Sequence, residues 1–229
     1  MKSIIKYKKG SHVGVIASFS IFVMFLVGIY LIMEPSFKVQ KDKELTLEKL
    51  KNELKQEFSS NLSKTIISNC SGYLGFVDLK KIDDGPLLNH LVKDKNNNII
   101  TSDKGGDTLF IESQTESVLW IYSSTMDLTA ATGVGGATIN NPKIESIKQT
   151  QEIFEQKIID GVNNFANLKS KLDIPQGSEF SFSFELFNGT TINAGYQATF
   201  EEVYSISISI KYIDINANIL PGTLTINTW

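Results

Sequence analysis

The chain has 229 residues, 41% of them apolar, which is enough for one anchored domain of ordinary size or two small ones. Lys2, Lys6, Lys8 and Lys9 stand in the first ten residues without an acid, while residues 11–229 carry 18 basic residues against 25 acidic ones, a net charge of −7. No arginine occurs, so the planar fork that grips phosphate at two points is missing, and an acidic, arginine-free domain is a poor partner for DNA or RNA; nucleic acid is excluded as a partner.

The first element is an apolar helix. From Val13 to Met33 the chain has no charge and no proline. At ~1.5 Å per residue such a helix spans ~30 Å, the thickness of a bilayer's hydrocarbon core. The lysines before it predict a cytoplasmic N-terminus and an extracytoplasmic C-terminal bulk in the cell membrane. A cleaved secretory signal has a shorter core of about 7–15 residues followed by a small-x-small site, and Met33-Glu34-Pro35-Ser36-Phe37-Lys38 offers none. Gly14 and Ser18, four apart on one helix face, are small enough to let a second anchor helix approach, a route to self-association.

Lys8-Lys9-Gly10-Ser11-His12, set directly against that helix, resembles the processing site of archaeal type IV pilin-like precursors, the class III signal peptides. The resemblance implies that a prepilin-type peptidase cuts between Gly10 and Ser11, with Lys9 holding the site in water and Gly10 admitting the backbone to a narrow cleft. Val15, fifth after the cut, stands where bacterial pilins carry a glutamate; archaeal members lack that acid. Leu168 to Phe184 and the closing Tyr212 to Trp229 are similar to the same archaeal membrane-anchored proteins. The organisation expected is a basic leader (1–10), a transmembrane helix (11–33), a stalk helix (34–70) and a β-rich extracytoplasmic domain (71–229), an α+β fold.

Beyond the anchor, Pro35 is expected to interrupt the helix. Leu47, Leu50, Leu54, Phe58 and Leu62 then recur at helical spacing, predicting an amphipathic stalk over Asp42–Ile67 that lays one stripe on the domain. Cys70, the one cysteine, can make neither an intrachain disulfide nor a cysteine-based metal cluster and reads as a small buried residue. Strands are expected at Leu87–Val92, Ile99–Ser102, Thr108–Glu112 and Ser117–Ser124, and a small-residue loop at Thr129–Thr138. One helix follows over Glu155–Lys171, stopped by Pro175-Gln176-Gly177. Phe180, Phe182 and Phe184 alternate with serine in a half-buried strand, and Asn188-Gly189 signals a type I′ hairpin. Val203–Tyr212 and Leu220–Ile226 pair around Asp214–Asn218, a turn with the same Asp-x-Asn-x-Asn pattern as Asp94–Asn98.

The chemistry in these motifs is sparse. Asp94, Asn96 and Asn98 copy the first oxygen positions of a calcium loop, but Ile99 holds the glycine position and Gly105 the closing glutamate. Asx residues bonding their own turns explain both patterns. Neither His12 nor His90 has a Cys, His or paired-carboxylate neighbour at metal spacing in the sequence, and the glycines at 133–136 lack the lysine of a phosphate loop. No metal, cofactor or catalysis is expected. Asn61, Asn69 and Asn188 sit in glycosylation sequons. Two functions fit: a pilin-like surface subunit whose anchor helices assemble into a filament or pseudopilus, or a stand-alone anchored binding or accessory domain that does not polymerise and binds an extracellular ligand or a membrane partner.

Overall fold

The computed structural model describes residues 12–70, 72–82, 89–113, 118–129, 142–172, 174, 177–196 and 202–229. Two compact units meet at Thr46/Leu47. The first is helical wherever it is described, being the larger part of α1 (His12–Glu57). Within it Gly14–Glu34 is long and apolar enough to cross a membrane, and none of it is buried. Pro35 does not break α1, contrary to the sequence expectation. A mid-helix proline removes one backbone hydrogen bond at a cost of about 3 kcal/mol, which a helix with full turns on both sides can absorb.

The second unit, residues 47–229, begins with the last turns of α1. Leu47, Leu50, Leu54 and Phe58 form the expected apolar stripe and are buried together in the main core. The helix ends at Glu57, not Ile67. Phe58 N–H still donates to the Leu54 carbonyl at 2.9 Å, and Ser59–Ser68 is then a strand, β1. The change follows from composition: serines and Asn61 favour leaving the helix, and Thr65-Ile66-Ile67 is a β-branched run.

Among the described residues eleven further strands follow: β2 (Gly72–Asp78), β3 (Asn89–Lys93), β4 (Ile99–Ile100), β5 (Ser102–Gly105), β6 (Thr108–Ser113), β7 (Val118–Ser124), β8 (Lys143–Phe154), β9 (Phe180–Glu185), β10 (Thr191–Ala194), β11 (Tyr204–Ile213) and β12 (Ile219–Thr228). Nine strands form one sheet in the order β10-β9-β12-β11-β8-β1-β7-β3-β4, and β2-β6-β5 form a small second sheet. Among the described residues every pairing is antiparallel except β8 with β11, which pair in parallel at Ile153/Tyr212 and Phe154/Ile213. The unit is therefore a mostly antiparallel β domain, and the chain is α+β.

Two faces bury the core. Phe180, Phe182 and Phe184 of β9 are all inward, with the Phe182 ring 5.3 Å from that of Phe58 and the Phe184 ring edge-on to Tyr212 at 5.5 Å. Gly222 of β12 lies under Phe184, where an added Cβ would come within 2.6 Å of the ring. The second sheet packs Val77, Leu109 and Ile111 against Ile67, Leu119 and Ile121. Between β8 and β9 the single helix expected is two, α2 (Glu155–Asn163) and α3 (Phe165–Lys171); a one-turn 3-10 helix at Leu79–Lys81 follows β2. The break falls at Asn164, whose side chain and backbone both donate to the Asp160 carbonyl, at 3.2 and 2.9 Å. Asparagine competes in this way with the helix ladder, and Gly161-Val162-Asn163 before it is a weak helix former.

The β9–β10 hairpin also differs from expectation. Gly189 N–H donates to the Leu186 carbonyl, Leu186 N–H to Thr190, and only Gly189 (φ +82°) is left-handed. That is a type I turn over Phe187-Asn188 closed by a glycine bulge, not a type I′ turn on Asn188-Gly189. Leu87 and Leu88, Pro175 and Gln176, and the glycines at 133–136 lie outside the described residues.

Candidate functional site

Of the processing residues, Lys9, Gly10 and Ser11 lie outside the described residues. Gly14 and Ser18 are on α1, exposed, and one turn apart on the same face. The sequon asparagines Asn61, Asn69 and Asn188 are all exposed. Asn188 Oδ1 accepts from Thr190 N–H at 2.9 Å, and Asn69 is left-handed at φ +62°.

The densest polar arrangement joins the two Asp-x-Asn-x-Asn turns. They are built alike. In the first, Asp94 Oδ1 accepts from the N–H groups of Asn96 and Asn98, both at 2.8 Å, and Asn98 Nδ2 donates to Oδ2. In the second, Asp214 takes the same three bonds from Asn216 and Asn218 at 2.7–2.9 Å. Each has a left-handed residue at its fourth position, Asn97 and Ala217. The carboxylates are thus turned to amide donors, the arrangement of an Asx turn. Among the described residues no group of three or more His, Cys, Asp and Glu side chains could hold a metal.

Lys93 connects the turns. Its Nζ donates to Asn97 Oδ1 at 3.0 Å and to Asn218 Oδ1 at 2.8 Å, and Asn97 Nδ2 donates to the same Asn218 oxygen at 2.8 Å. The side chain is 1% exposed, with Nζ 5.6 Å from the Tyr122 ring centroid. Burial pushes its pKa below the ordinary lysine value, Asp214 opposes that shift, and Lys64 adds to it. Since β3 and β11 are separated in the sheet by β7, β1 and β8, the contact means that the sheet curls until its hairpin tips meet. Leu91, Tyr122, Ile213 and Ala217 fill the space beneath. The sequence pattern exposed the twin turns but not Lys93, whose role depends on a residue 125 positions away.

Beside this latch lies Lys64 of β1, half-buried, with Nζ 5.2 Å from the Trp120 ring and 5.3 Å from the Tyr122 ring. The opposite face of the same strands carries Ser63 and Ser123 directly opposed, and His90 opposed to Ser123. A histidine beside two hydroxyls is part of a nucleophilic constellation, but at 3, 0 and 6% exposure the row is packed inside the domain. Cys70 is also buried, which pushes its thiol up to about 11 and leaves it protonated at neutral pH. A cleft of about 290 Å³ is lined by Glu57, Lys157, Asp160, Asn164 and Lys171, of mixed charge, with Lys171 paired to Glu57 at 3.2 Å. No protein family matches the chain, and neither does any curated protein or solved structure.

Proposed function

We propose that the chain is a non-enzymatic, single-pass membrane-anchored surface protein of pilin-like kind, with residues 14–34 in the membrane and the β domain outside the cytoplasm. The observation that carries this reading is the exposure of the apolar helix. Val15, Phe19, Ile21, Met24, Phe25, Tyr30 and Ile32 are each more than 60% exposed. Withdrawing one such large side chain from water contributes about 1.5–3 kcal/mol, so a row of this length requires lipid or other apolar helices around it. The basic leader supports the inward orientation of the N-terminus. A helix leading into an antiparallel β domain, with Leu47–Phe58 in that domain's core, supports the pilin-like comparison. Self-association through the Gly14/Ser18 face would make the protein a subunit of a filament or pseudopilus. Protease added to intact cells tests the orientation: digestion of the β domain is expected, and digestion only after lysis would reverse it.

A further inference from the structure

The face of the large sheet that carries Trp120 has an unbalanced charge pattern. In the β1–β8 register Lys64 lies directly opposite Lys148, and in the β1–β7 register directly opposite Tyr122. One position along, Ile66 lies opposite Ser146 on one side and Trp120 on the other. Directly opposed residues of antiparallel strands share a face, with Cβ atoms ~4.5–5.5 Å apart. Lys148, Lys64 and Tyr122 therefore form one row, and Ser146, Ile66 and Trp120 the next. Like charges directly opposite each other destabilise a sheet. Lys64 Nζ lies over the Trp120 and Tyr122 rings, but among the described residues no carboxylate pairs with Lys64 or Lys148. Glu145, three residues from Lys148, is engaged by Ser68 and by Lys143 at 3.2 Å. Glu152 is four residues along β8, roughly 13 Å away at strand spacing. Lys148 is exposed, and Lys64, Ile66 and Trp120 are half-buried, so the patch opens to solvent.

We propose that this patch binds an acidic polysaccharide, with a sugar carboxylate between Lys64 and Lys148 and a pyranose ring against Ile66 and the edge of Trp120. Two lysine ammoniums are point charges without the guanidinium fork, so they suit a carboxylate approached from any direction rather than planar recognition of phosphate. A half-buried indole offers apolar surface to a sugar ring, and the exposed Ser146, in the same row, supplies a hydroxyl to bond a ring hydroxyl. The ligand supplies the negative charge that the two lysines lack. The inference concerns the β domain alone and holds whether or not the anchor helices assemble.

The test uses the full chain in neutral detergent, titrated with a galacturonic acid oligomer, with a neutral galactose oligomer and an oligonucleotide of equal charge as comparisons. Saturable binding of the galacturonate that weakens with added salt is expected, with the other two bound at least about tenfold more weakly. Lys148→Glu should lower that affinity about tenfold or more while Tm holds or rises, because the introduced carboxylate faces Lys64. Lys157→Glu, on α2, should leave affinity unchanged. The proposal is overturned by no binding, by equal binding of the neutral oligomer or the oligonucleotide, by an unchanged affinity in Lys148→Glu, or by a Tm loss in that variant, which would show that the lysine pair is not under unrelieved repulsion.

Discussion

Lys93 Nζ lies 2.8 Å from Asn218 Oδ1, a hydrogen bond between two hairpin tips that are 125 residues apart in the chain. It holds the curl of the nine-stranded sheet with a single buried ammonium. Lys93→Met keeps most of the side-chain volume but leaves Asn97 Oδ1 without its donor and Asn218 Oδ1 with the Asn97 amide as its donor. A loss of about 1–3 kcal/mol is expected, since a buried acceptor stripped of its partner keeps its desolvation cost. Urea unfolding measures it; a stability equal to the wild type would mean that the latch adds nothing.

Asp94 makes the same turn sensitive to acid. Burial opposes ionisation of its carboxyl, but hydrogen bonds from the Asn98 side chain and backbone and from Asn96, with Lys95 nearby, outweigh it and hold the pKa below the ordinary value of 3.8. A depressed carboxyl contributes stability that is present above the unfolded value and lost as pH falls through the folded one. The urea midpoint of the wild type should therefore drop on acidification below about pH 4. Asp94→Asn should be less stable at neutral pH and should show a smaller drop over that range.

Phe182 tests the main core. It is 1% exposed and packs against Phe58 at 5.3 Å and Phe165 at 6.2 Å between ring centroids. Phe182→Ala removes the ring from between the end of α1 and the β9 strand, so a loss of ~3–5 kcal/mol in denaturant unfolding is expected. A loss under about 1 kcal/mol would mean that the surrounding side chains collapse to fill the space.

Which parts of the fold could be read in the sequence depended on whether the signal was local. The Leu47/Leu50/Leu54/Phe58 stripe and the Phe180/Phe182/Phe184 alternation each bury one face, so each shows its own period. Leu62 misled because a spacing of four from Phe58 satisfies a period of two as well as one of 3.6, and it sits in β1. Strand β8 gave no alternation to read: Glu145 to Gln149 are exposed on both faces, so neither face required apolar residues. Asn188-Gly189 marked a turn correctly, but a dipeptide does not specify loop length, and the chain uses one more residue than the shortest hairpin. The cationic patch was hidden for the same reason as the latch, because Lys64 and Lys148 become neighbours only through strand pairing.

If Gly10-Ser11 is cut by a prepilin-type peptidase, protein purified from its native membrane should have the intact mass of a chain that begins at Ser11. Gly10→Phe should block the cut, since a bulky side chain obstructs close approach of the backbone to the peptidase. The retained leader then keeps Lys2, Lys6, Lys8 and Lys9 at the head of the apolar helix. Packing several such helices together would crowd or desolvate four like charges per chain, which opposes association in the membrane. The uncut variant should therefore run as a monomer in mild detergent while the cut wild type enters larger complexes. Gly14→Leu, which is cut normally but fills the close-approach face, should also stay monomeric. Recovery of the full chain from Met1 in mature membranes would remove the pilin-like mechanism and leave an anchored domain that acts alone.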